Sequence, residues 1–150
     1  MAILMREREE TRGRLEKPNP LLDKVRYSAV ALSLVAGLMH AWVAPEHFGE
    51  WWGYGLFFVG AALVQILYAA LLVWRPQKWI VAAGVAGNLL IIGLYVFTRT
   101  VGIPFIGPGA WEVEGVDAIG LASKAAELAL VVALLVLISA RSRLMTTRSA

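Results

Sequence analysis

The sequence predicts an all-α integral membrane protein, an antiparallel bundle of four transmembrane helices. Three observations carry that prediction: four apolar runs of membrane-spanning length, cations gathered at alternate ends of those runs, and tryptophans at both of their edges. A bilayer core needs roughly 20 apolar residues in a helix, because every backbone N–H and C=O must be paired within the segment. The runs fall at about 27–44, 48–74, 79–98 and 117–140. They place a transmembrane domain at 25–141, between a charged segment at 1–24 and a short tail at 142–150. With 59% hydrophobic residues in 150, a water-soluble fold would lack the polar surface to cover itself.

Each connection follows from local chemistry. The second and third runs are separated only by Arg75, Pro76, Gln77 and Lys78, which makes them a tight, positively charged hairpin. Pro45 suits the first turn of a helix and Glu46 the positive end of one, so the second helix is expected to start near them. The link between the third and fourth runs, Thr98 to Gly109, has Pro and Gly to fix its turns and apolar residues that let it fold back as a lid.

Twelve of the fourteen Lys and Arg residues lie in the N-terminal stretch through Arg26, the Arg75/Lys78 turn and the Arg141/Arg143/Arg148 tail. Loops rich in cations stay in the cytoplasm, so both termini are expected there. The opposite end carries Glu46, Glu50, Glu112, Glu114, Asp117 and Glu127 against only Arg99 and Lys124. Trp42, Trp51, Trp52 and Trp111 would mark the outer interface, Trp74 and Trp79 the inner one. The alternating charges of the first twenty residues suit a solvated segment at an anionic membrane surface.

Composition also excludes. The chain has no cysteine, so disulfides, thiolate metal sites and thiol redox chemistry are ruled out. The basic residues sit at the ends of apolar runs and not in a patch with exposed aromatics, which argues against nucleic acid as a partner.

Polar residues inside a membrane are costly, and their spacing shows which face of each helix looks inward. Ala29, Ser33, Gly37 and His40 form one stripe; His47, Glu50, Tyr54, Phe58, Ala61 and Gln65 a second. Gly84, Asn88, Ile91 or Ile92, Tyr95 and Arg99 form a third, with Ala83/Gly87 as an additional close-packing pair; Asp117, Gly120, Lys124, Glu127 and Val131 form the fourth. By helical rise Gln65, Asn88 and Glu127 are expected to meet near the bilayer centre, with the other ionisable groups above them toward the outside.

His40, Glu46, His47 and Glu50 bring two imidazoles and two carboxylates across one short segment, and Asp117 or Glu114 lies opposite. That donor set suits zinc, copper or iron, so an outward-facing cup binding a metal ion or small cation through His40, Glu46, His47, Glu50 and Asp117 is the leading expectation. Against it stands a reading in which these groups only pair with one another. Lys124 and Glu127, three residues apart, suit a structural salt bridge; Gln65 and Asn88 suit interhelical hydrogen bonds. Haem held by His40 and His47 is not expected, and no catalytic set is assigned. The rival class is an accessory subunit of a larger membrane complex. An ion-coupled transporter using Glu127, or a homo-oligomeric pore, comes next, although a path would need polar groups on the inward half as well.

The segments HAWVAPEHFGEWWGYGLFF, with Gln65 after it, and TRTVGIPFIGP, with Glu112, Glu114 and Asp117 after it, resemble a family of small, uncharacterised four-helix bacterial membrane proteins. The likeness runs from about Tyr27 to Ala140. It implies four spans in a bacterial inner membrane.

Overall fold

The computed structural model describes residues 19–146, with side chains through 140. Four helices follow one another: α1 Pro20–Glu50, α2 Trp52–Trp74, α3 Lys78–Thr100 and α4 Ala118–Thr146. Each contains a stretch long and apolar enough to cross a membrane.

α1 starts seven residues before the predicted span, for a reason that hydropathy does not register. Asn19 caps it, its side chain accepting from the N–H groups of Leu21 and Leu22, and Pro20 occupies the first helical position. At the other end the expected break near Pro45 does not occur. Pro45 lies inside α1, which runs on to Glu50 and stops at the extended residue Trp51. A proline N-terminal to the last turn removes one backbone bond, and the helix closes beyond it with Trp51 N–H on the His47 carbonyl. Glu46, His47 and Glu50 therefore belong to the last turns of α1 and not to the start of α2. The predicted line from His47 to Gln65 is two faces, divided at Trp51.

α1 packs extensively on α2 and α4, and α4 on α3, whereas α2 and α3 meet at few points despite their short turn. The stripe of α1 makes the close approaches possible. Ala29, Ser33, Ala36, Gly37, His40 and Ala44 are all buried, and a Cβ on Gly37 would stand 3.1 Å from the Gln65 Cβ. Ala83 and Gly87 do not pack as expected. Both are exposed on α3, where the buried close-packing glycine is Gly84.

Along its axis the bundle has three layers. At the end holding the Arg75/Lys78 turn, Ala29, Leu72, Ile80, Val81, Leu130, Leu134 and Leu137 form an apolar plug. In the middle Ser33 donates to Gln65 Oε1 and O (both 2.8 Å), Gln65 Nε2 to Asn88 Oδ1 (2.9 Å), and Asn88 Nδ2 to the Gly84 carbonyl (2.8 Å). This chain of direct bonds ties α1, α2 and α3 together. The third layer, at the end of the α1–α2 and α3–α4 connections, is ionisable. The outer surface is apolar, as lipid contact requires: Leu90 is 74% exposed, and Trp42, Trp52, Trp74 and Trp79 stand out at its edges.

Candidate functional site: an ionisable cup under a lid

Glu127 is the deepest charge-bearing residue of the third layer, fully buried on α4. Its carboxylate is reached from three sides. His40 Nε2 of α1 lies 2.8 Å from Oε1, Lys124 Nζ lies 2.7 and 2.6 Å from Oε1 and Oε2, and Ser123 Oγ donates to Oε1 at 3.2 Å. A carboxylate so buried needs compensation of this kind, because desolvating an unpaired charge costs several kcal/mol. The Lys124–Glu127 pair is thus present as spacing suggests, but Glu127 does not meet Gln65 and Asn88. Its partner is His40, and the amide chain forms a separate layer nearer the plug.

Above this floor opens a cavity of about 850 Å³, within the range of small-molecule sites. His40, Ser123 and Lys124 form its base, and His47, Tyr54, Phe58 and Tyr95 its walls. Glu46, Glu50, Glu112, Glu114 and Asp117 surround the mouth.

The segment after α3 folds back over this cavity, as its turn chemistry predicts. Ile103, Pro108, Gly109, Glu112 and Val113 all line it. Four bonds pin the lid: Glu114 N–H to the Thr98 carbonyl, Trp111 N–H to the Ile103 carbonyl, Tyr54 Oη to the Ile106 carbonyl at 3.1 Å, and Arg99 Nη1 to Glu114 Oε2 at 2.7 Å. Gly107, at φ 80°, lies against the Tyr54 ring where a side chain would collide. Arg99 also approaches Asp117 (3.6 Å) and stacks 3.9 Å over the Tyr95 ring.

All five predicted metal ligands border one cavity, yet the donor atoms of His40, His47 and Asp117 are committed to separate partners. His40 faces Glu127, and His47 Nδ1 bonds the Val43 carbonyl while its ring packs 4.0 Å from Phe58. Asp117 caps α4, Oδ1 accepting from Gly120 N–H at 2.6 Å. Among the described residues no group of three or more His, Asp or Glu side chains is placed to hold a metal ion. Glu46, Glu50 and Glu112 have no ionic partner among the described residues.

Residues that spacing did not single out complete the site. Ser123 falls one position from Lys124 and reads as an ordinary small residue in an apolar run. The Arg99–Glu114 bridge spans a loop, where periodicity is silent. No family model, curated protein or solved structure matches the chain.

Proposed function

We propose that the protein is a binding protein of a bacterial cytoplasmic membrane, with its termini in the cytoplasm and its cup open to the outside, and that the cup holds a small organic cation. One observation carries this reading: three carboxylates at the mouth, Glu46, Glu50 and Glu112, lack cationic partners among the described residues, while the carboxylates deeper in are neutralised by Lys124 and Arg99. Uncompensated carboxylates above aromatic walls, Tyr54 and Phe58, suit an ammonium group, which gains from both charge and ring faces. A transition metal is less well served, since it needs three or four converging donors. The apolar plug favours holding a ligand over passing it through one copy of the chain.

Calorimetric titration of the purified protein with ethylammonium and tetramethylammonium tests the reading. Saturable binding is expected, weakened at least roughly tenfold in Glu46→Gln/Glu50→Gln with no change in thermal stability. Absence of saturable binding, or binding indifferent to those substitutions, overturns it. Stoichiometric zinc, copper or iron in protein purified without chelator would restore the metal site instead.

A second reading, an accessory subunit of a membrane complex, draws on the tip of the lid. Phe105 and Trp111 are held at φ 61° and 70°, pack edge to face at 5.2 Å, and are 86% and 54% exposed. Strained, displayed aromatics suit a docking surface. Extraction from native membranes in mild detergent separates the readings, because a chain that always purifies alone has no stable complex.

A further inference from the structure

The cup has an annex. Between α2 and α3, on the cup side of the Gln65–Asn88 bond, lies a second cavity of about 270 Å³. Its own walls are apolar, formed by Phe57 of α2, Ile91 and Leu94 of α3, and Ile106 of the lid. Phe57 and Ile106 are also exposed at the surface of the bundle, so this cleft lies at the lipid-facing seam where α2 and α3 barely touch. At its inner end it shares His40, Tyr95, Arg99 and Lys124 with the cup. The two cavities adjoin across these side chains.

The chemistry from the cup to the annex has an order. Unpaired carboxylates stand at the mouth, cationic side chains and a phenol at the junction, and hydrocarbon in the cleft. At the junction the Arg99 Nε–H and Tyr95 Oη are buried without hydrogen-bond partners among the described residues, and Lys124 has three donors for the two oxygens of Glu127. Buried donors left unpaired cost free energy until something accepts from them. Ammonium, then an acceptor anion, then alkyl chain is the order within a zwitterionic phospholipid.

We propose that the ligand of the cup is a zwitterionic phospholipid of the ethanolamine type, admitted sideways between α2 and α3. Its ammonium faces Glu46, Glu50 and Glu112, its phosphate the Arg99, Lys124 and Tyr95 junction, and the first part of an acyl chain fills the cleft. The proposal rests on the reading of the cup as an ammonium site and adds the anion and the chain to it. Lateral entry explains why the neighbouring helices α2 and α3, joined by a short turn and the Gln65–Asn88 bond, part toward the cup.

The test titrates the full-length protein in neutral detergent with ethylammonium, phosphorylethanolamine, dihexanoyl-phosphatidylethanolamine and dihexanoyl-phosphatidylglycerol, the lipids below their micellar concentrations. The dihexanoyl-ethanolamine lipid is expected to bind at least roughly tenfold tighter than phosphorylethanolamine, and tighter than the glycerol lipid by a similar factor. Filling the cleft by Ile91→Trp, or from its opposite wall by Ile106→Trp, is expected to remove the gain due to the chains while phosphorylethanolamine still binds. Equal binding of phosphorylethanolamine and its dihexanoyl form overturns the lipid proposal and leaves the ammonium cup standing. Equal binding of the two lipids overturns the head-group assignment, and with it the proposal. Failure of all four probes, ethylammonium included, removes the cup reading as well.

Discussion

His40 on α1 and Glu127 on α4, 87 residues apart, meet at 2.8 Å with both side chains buried, and so join the first helix to the last beneath the cup. With Lys124 on the same carboxylate, Glu127 is the common partner of two nitrogen groups. Glu127→Gln is expected to cost about 3–5 kcal/mol, because it leaves the ammonium buried without a counter-charge. Adding Lys124→Met should recover much of that loss. Thermal unfolding in detergent followed by circular dichroism checks both, and a Glu127→Gln protein as stable as its parent contradicts the assignment.

The amide chain in the middle layer predicts smaller effects. Gln65 receives from Ser33 and donates to Asn88, so Gln65→Leu removes both side-chain bonds while Ser33 keeps the carbonyl of residue 65, whereas Ser33→Ala removes one donor. Hydrogen bonds between membrane helices contribute on average about 0.6 kcal/mol and at most about 1.7. Gln65→Leu is therefore expected to destabilise by about 1 kcal/mol and Ser33→Ala by about half of that, measured by the same unfolding assay. A loss beyond about 3 kcal/mol for either would mean that the layer does more than tie helices together.

Two glycines on α3 separate close packing from mere smallness. A Cβ on Gly84 would run into the Tyr68 hydroxyl, while one on Gly87 meets nothing. Gly84→Ala should destabilise, and Tyr68→Leu in the same chain should relieve most of the effect. Gly87→Ala should be neutral or stabilising by up to about 1 kcal/mol, from the restricted unfolded chain and better helix propensity.

Arg99 secures the lid through Glu114 and Asp117, at 2.7 and 3.6 Å. Because Glu114 is 38% exposed, solvent screens the pair and its contribution is modest, about 1 kcal/mol. Arg99→Gln is expected to raise hydrogen exchange about fivefold at the amides of Trp111 and Glu114, both bonded within the lid or to its base. Unchanged exchange at both amides would show that the backbone bonds and Tyr54 hold the lid without the arginine.

The four helices were legible in the sequence because a bilayer-length apolar run admits few other structures, and most inward faces followed from the cost of polar groups in hydrocarbon. The stripe Ala29, Ser33, Gly37 and His40 is buried throughout. What the spacing could not resolve was height. A stripe says which way Glu127 points and not which of His40, Gln65 or Asn88 lies level with it, since that depends on the relative slide of α1 and α4. Helix ends failed for a similar reason: Asn19–Pro20 and Trp51 set them through backbone caps, which hydropathy does not see. The metal reading counted donors within a segment, whereas His40, His47 and Asp117 are each drawn to a different partner. Ala83 and Gly87 show that small residues at helical spacing need not face a neighbour.

The layer of Leu72, Leu130, Leu134 and Leu137 behind the cup makes the chamber a blind alley. On the proposed reading of the cup as a ligand site, a molecule that enters from the mouth or through the seam departs by the same ways, and its occupancy follows the concentration at that end of the bundle. That proposal therefore gives a single copy of the chain a part in sampling or presenting a molecule, in preference to moving it down a gradient.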